Sequence, residues 1–138
     1  MKVIAMVLGA FFAVQSVATA ANTAANENAA VASARTWLGK IDAEKYAESW
    51  DDAAAPFKNA ISRSQWSGSL EAVRKPLGKS KSRKLLSKKY TESLPGVPEG
   101  KYVVIQFETE FENKKAVETM TPMLDKDGKW HVSGYFIK

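Results

Sequence analysis

The apolar positions of this chain change period once, from helical to alternating. From Ala29 onward, Val31, Ala34, Leu38 and Ile41 recur at helical spacing with Trp37 on the flank of the stripe, which predicts a first amphipathic helix. Gly39 weakens its last turn. Asp42 reads as the cap of a second helix, with Glu44 in its positively polarised first turn. Tyr46, Trp50, Ala53 and Phe57 follow at near-helical spacing, and Pro56 is expected to stop that helix before Phe57. A third helix carries a clearer start signal. Ser62 and Gln65 form a Ser-x-x-Gln capping box, and Ile61 and Trp66 stand where a hydrophobic staple closes over it. Trp66, Leu70 and Val73 make its inner stripe; Pro76 and Gly78 end it.

After Gly78 the pattern alternates. Residues 81–93 read as a strand, and "LPGVPEG" separates it from the next. In "KYVVIQFETEF", Val103, Ile105, Phe107 and Phe111 point one way while Gln106, Glu108 and Glu110 point the other. That is the signature of a half-buried antiparallel strand. "ENKK" turns into "AVETMTPML", and the Asp-Gly of "DKDGK" leads into "WHVSGYFIK". The order predicts an α+β domain: three N-terminal helices packed on one face of a four-stranded antiparallel meander, in two layers.

The first twenty residues stand apart. Lys2 precedes an apolar run from Val3 to Val14, and Ala18-Thr19-Ala20 offers a small-x-small cleavage pattern. This predicts a signal peptide over 1–20, a flexible polar leader over 21–28 and one domain over 29–138, in a periplasmic or secreted protein. No membrane insertion is expected once the signal is removed. The chain has no cysteine, so neither a disulfide nor a thiol nucleophile is available and packing alone must hold the domain. Loss of Lys2 leaves 19 basic against 15 acidic side chains, a mild excess that does not mark a polyanion binder.

One segment concentrates that charge. "RKPLGKSKSRKLLSKKY" holds Arg74, Lys75, Lys79, Lys81, Arg83, Lys84, Lys88 and Lys89 with no acidic residue. Only Tyr90 could stack a base among them, so nucleic acid is not the expected partner. Basic side chains on both faces of a strand suit a solvated sheet edge that resists strand addition. Attachment to an anionic envelope surface is the alternative.

Candidate chemistry is sparse. His131 is the single histidine. If Asn113-Lys114 and Asp127-Gly128 are two-residue hairpin loops, His131 pairs with Leu124 and Glu118 with Ile137, about 20 Å apart along the strand. The two cannot then form a catalytic dyad. The same register sets Glu118 beside Thr109, on the face of Phe107, Phe111 and Met120. There it is expected to pair with a lysine or arginine near a wet sheet end. A general base in a cavity, assisted by Tyr135 or His131, is its alternative role. No metal site is expected, because cysteine is absent and histidine occurs once. No phosphate-binding loop follows a strand, and no cofactor is expected.

The phrases "WLGKIDAEKYAESW", "QWSGSLEAVRKPLGKSKSRKL", "LPGVPEGKYVVIQFETEFENKKAVET" and "WHVSGYFIK" resemble a family of secreted bacterial domains of unknown function, number 4019 in its series. The helices-then-meander order is more distantly similar to the nuclear-transport-factor-2-like (cystatin-like) superfold. The first resemblance implies an exported domain without an assigned activity, and the second a sheet able to enclose a ligand. Trp50, Trp66, Phe107, Phe111 and Tyr135 are the candidates to line such a face. The expected function is therefore non-enzymatic binding of a small ligand or an envelope protein through this aromatic surface.

Overall fold

The computed structural model describes residues 9–138. Residues 1–8, which hold the charged start of the expected signal peptide, lie outside the described residues. Four helices precede four strands: α1 (Gly9–Asp42), α2 (Tyr46–Asp51), α3 (Ala55–Ala60), α4 (Arg63–Leu77), β1 (Ser80–Thr91), β2 (Tyr102–Phe111), β3 (Lys115–Leu124) and β4 (Trp130–Ile137). The strands form one open antiparallel sheet in the order β1-β2-β3-β4.

Two helical expectations change. Residues 21–28 continue α1 instead of forming a flexible leader. Their alanines favour helix, and their polar side chains are used: the Glu27 carboxylate accepts from the Tyr90 backbone N–H at 3.0 Å, and the Asn28 side-chain oxygen accepts from Lys88 Nζ at 2.7 Å. The second helix is divided in two. Pro56 stands in the first turn of α3, where its missing N–H costs nothing and its fixed φ suits helix entry. It starts a helix rather than ending one.

The α4 start matches its sequence signal. Ser62 accepts from the Gln65 N–H, and the Gln65 side chain accepts from the Ser62 N–H. Along α4, Trp66 and Leu70 are buried, whereas Val73 is 47% exposed. The inward position falls to Arg74 instead, 5% exposed and seated over the Phe111 ring.

The core lies between the helices and one sheet face. Ala34, Leu38 and Ile41 of α1 meet Val103, Ile105 and Phe107 of β2 and Met120 of β3. Trp66 packs edge-on against Phe57 and lies near Trp37 and Tyr135. Ser49, fully buried, organises this aromatic group: its Oγ accepts from Trp66 Nε1 at 2.9 Å, its carbonyl accepts from Trp37 Nε1 at 2.8 Å, and its hydroxyl donates to the Tyr46 carbonyl.

Both hairpin registers differ from the expected ones. Between β2 and β3, Glu110 pairs with Lys115 and Phe107 with Glu118, and the Phe111 N–H donates to the Lys114 carbonyl at 2.9 Å, so the turn falls on Glu112-Asn113, one position earlier, and every side chain keeps its face. Between β3 and β4, Leu124 pairs with Trp130 and Met123 with His131. A bulge after Met120 then restores the expected pairing of Glu118 with Ile137.

Trp66→Ala is expected to cost about 3 to 5 kcal/mol, because it empties the centre of the aromatic group and leaves the Ser49 hydroxyl without its donor. Equilibrium denaturation measures this. A loss below about 1 kcal/mol would place Trp66 outside the core.

Candidate functional site

The basic run divides into two populations. Its lysines, Lys75, Lys79, Lys81, Lys84, Lys88 and Lys89, are exposed, and those on β1 decorate a sheet edge. Its arginines turn inward. Arg83 Nε donates to Glu118 Oε1 at 2.6 Å, and its two terminal nitrogens donate to Asp42 at 2.8 and 3.0 Å. Arg74 Nη2 donates to the same Asp42 at 3.0 Å. Thr109 Oγ1 donates to Glu118 Oε1 and the Tyr135 hydroxyl to Glu118 Oε2. Two guanidinium and two carboxyl groups thus share one buried site.

Each element contributes through its own local logic. Asp42 is the last residue of α1, not the cap of the next helix. Alternation on β2 and β3 sends Thr109 and Glu118 to the inner face, where each is fully buried. Arg83 is the position on β1 opposite Thr109. The expectation that Glu118 pairs with a basic residue holds, but the wet sheet end does not: Glu118 is 0% exposed. Three donors already occupy its oxygens. A general base needs a lone pair facing substrate, and full burial keeps the Glu118 carboxylate away from anything in solution.

Burial pushes the Asp42 carboxyl up, but the hydrogen bonds and charges of Arg83 and Arg74 outweigh it and hold the group below its ordinary 3.8. Burial would lower Arg83, yet its bonds to Asp42 and Glu118 raise it. Tyr135 is raised from 10.0, first by burial and then by the charge and hydrogen bond of Glu118.

The candidate aromatic lining is packed. Trp66, Phe107 and Phe111 are 7%, 0% and 2% exposed, and Trp50 and Tyr135 are half-buried against the same core. These side chains fill the interior. His131 lies elsewhere, at the start of β4. Its Nδ1 is 2.9 Å from the Asp52 carbonyl and its Nε2 2.7 Å from Asp127 Oδ2. It does not meet Glu118 or Tyr135. Among the described residues no group of three metal-ligating side chains is placed to hold an ion.

Open space lies next to the ionic cluster. A pocket of about 550 Å³ is bounded by Asp42, Glu44 and Tyr46 at the α1–α2 corner, by Glu71, Arg74 and Lys75 of α4, and by Gly78, Lys79 and Glu112. Gly78 has φ 79°, and a Cβ there would come within 2.9 Å of the Glu112 Cβ, so only glycine allows this close turn from α4 into β1. Glu112 accepts from the Lys79 N–H at 2.7 Å. Arg74 forms part of the wall, with Nε and Nη1 buried and without hydrogen-bond partners. A second hollow of about 340 Å³ borders Trp37, Asp52, Trp130 and His131.

Residues 33–135 match the family described as protein of unknown function DUF4019. The chain belongs to that family. No curated protein and no solved structure matches it. The DUF4019 match spans the helices and strands that build both the ionic cluster and the pocket beside it.

Sequence reasoning missed the pocket residues Asp42, Glu44, Tyr46, Glu71 and Glu112. No catalytic spacing unites them, because they meet only after α1, α4 and the β2–β3 turn converge.

Glu118→Gln is expected to destabilise the domain by about 3 kcal/mol, since it leaves Arg83 buried with half of its partners. Chemical denaturation checks this; an effect under about 1 kcal/mol would show that the pair contributes little.

Stability should also fall at both pH extremes. Asp42, Asp125 and Asp127 all titrate below 3.8 in the fold, so their contribution is full above the unfolded value and lost as pH drops through the folded ones. Tyr135, raised above 10.0, contributes fully below that pH and loses its contribution as pH climbs toward its folded value. Thermal melts of wild type and Tyr135→Phe should diverge least above pH 10. A difference independent of pH there would contradict the assignment.

Proposed function

We propose that this DUF4019 chain is an exported, non-enzymatic binding domain whose ligand enters the charged pocket beside the ionic cluster. The observation that carries the reading is the combination of open volume and free charged groups at one place. The pocket lies in the size range of small-molecule sites, and Glu44, Glu71, Lys75 and Lys79 line it. The candidates for chemistry are committed elsewhere. Glu118 is enclosed by its three donors, and His131 has both ring nitrogens against acceptors. The aromatic surface expected from the sequence is core, which moves the binding reading from that surface to the pocket.

Export rests on the sequence: a charged start, an apolar run and Ala18-Thr19-Ala20. Kinship with the nuclear-transport-factor-2-like superfold remains part of this proposal, supported by the helices-then-meander order. Attachment to anionic surfaces is the weaker reading, because Arg74 and Arg83 are withdrawn into the interior, Lys75 and Lys79 line the pocket, and the other four are spread along the β1 edge.

Cell fractionation should place the protein in the envelope compartment with its N terminus at Ala21. Native mass spectrometry of that material should show a bound small molecule, lost in Lys79→Glu. A cytoplasmic protein retaining Met1 would overturn export. Wild type that carries no ligand and binds none of a small-metabolite panel would overturn the binding reading.

A further inference from the structure

The two edges of the sheet are defended differently. β1 carries Lys81, Lys84, Lys88 and Lys89 along one edge, where like charges repel an added strand of the same kind. β4, at the other edge, is paired on one side only, to β3. From Val132 to Ile137 it holds no charged residue. Part of this edge is capped. The Val132 carbonyl accepts from the Ala54 N–H at 2.8 Å, and the Trp130 carbonyl accepts from Ser33 Oγ at 2.6 Å. Both caps come from the helical layer, and both lie before the bulge, where Ser133 and Gly134 of β4 face the single Thr121 of β3.

Past the bulge the edge is open. Val117 and Lys138 exchange both of their backbone bonds. Alternation then turns the N–H and C=O of Phe136 toward β3, and those of Tyr135 and Ile137 away from the sheet. No element among the described residues receives these outward groups. Phe136 stands between them, opposite Thr119 on the face away from the helices. It is 56% exposed, the most exposed large apolar side chain among the described residues. Unpaired donors and acceptors flanking an exposed aromatic ring, with no charge to deter a strand, make a template for strand addition.

We propose that two copies of the chain join along this segment, β4 against β4, antiparallel about a twofold axis at Phe136. The register is self-complementary. It sets Tyr135 of each copy opposite Ile137 of the other, so every outward backbone group gains a partner. Phe136 meets Phe136 of the second copy between them, at a non-hydrogen-bonded position where side chains approach most closely. The nearest charge, Lys138, lies two positions from the axis, so the two copies of it are about 14 Å apart along the strands. That exceeds the screening length of about 8 Å in physiological salt. Pairing β4 with β1 instead would meet the lysines and leave an open-ended chain of subunits. The neutral edge paired with itself closes the assembly, and its two outer edges are then the lysine-bearing β1 strands.

Sedimentation velocity of the purified protein from about 1 μM to about 1 mM, the span of weak to moderate affinities, should show a monomer–dimer equilibrium. Phe136→Lys places two ammonium groups at the axis and should weaken dimerisation at least about tenfold. Its circular dichroism should match wild type, because the side chain is exposed in the single copy. Ile137→Pro removes an outward N–H while sparing the β3 ladder, and should weaken the dimer too. The absence of cysteine makes the register directly testable. In Phe136→Cys the paired Cα atoms lie about 4.5 Å apart, within the span of a disulfide, so mild oxidation should yield a covalent dimer. Lys84→Cys, on the other edge, should yield none. Amide exchange at Tyr135 and Ile137 should slow as protein concentration rises. Protein that stays monomeric across the series would overturn the proposal. So would a dimer that survives both Phe136→Lys and Ile137→Pro, or one that crosslinks through Lys84→Cys and not through Phe136→Cys. If either disrupting variant fails to fold, the crosslink and the exchange rates of wild type decide the matter.

Discussion

The fold depends on a buried electroneutral group. Asp42, Arg74, Arg83 and Glu118 come from α1, α4, β1 and β3, and Tyr135 adds β4 through Glu118. Taking such charges out of water is expensive, and their mutual attraction offsets that cost only when geometry and hydrogen bonding are nearly complete. The requirement is demanding in space. Arg83 must reach two carboxylates from one side of β1, which sets how far α1 runs before it ends and where β1 lies on β2. A one-residue slip of β3 would send Glu118 to the opposite face and leave Arg83 without its partner. Apolar packing would tolerate more variation here than the ion group does.

That dependence explains the turns. The β2–β3 turn falls one position earlier than expected, and the β3–β4 pairing begins one residue out of step, yet both hairpins deliver Glu118 to the inner face opposite Ile137. The first change preserves parity by itself. The second does so only because a bulge after Met120 absorbs the odd residue. Around this fixed point the turn leading into β4 is free to serve another contact. His131 and Asp125 reach the α2–α3 corner, bonding the Asp52 carbonyl and the Ala55 N–H.

Local signals were readable in the sequence wherever neighbours decide the outcome. The Ser62–Gln65 capping box, the inner face of β2 and the strand order follow from residues within a few positions of each other. The ion group does not. Its partners are separated by 32 to 41 positions, so Arg74 and Arg83 look like their lysine neighbours in a solvated run. Guanidinium differs physically from ammonium in its weaker hydration and planar array of donors. The two arginines among six lysines were therefore the one available hint that these two belong inside. Pro56 misled for a related reason. Proline both ends and begins helices, and the deciding residue, Ala54, acts through a tertiary bond to the Val132 carbonyl.

The pocket was invisible for a deeper reason. Its walls are the remainder of the ion group's geometry: α1 must stop at Asp42 to meet both arginines, the chain must then reverse to place α2, and the reversal falls on Glu44. In this chain the reversal meets a left-handed position at Glu44, which glycine would satisfy at lower cost. A carboxylate side chain at such a position adds nothing to the core and faces open space beside Tyr46 and Glu71. Strain alone would not imply function. Strain on a charged side chain that borders a pocket, where the core gains nothing from it, ties the position to the pocket rather than to the packing of the fold.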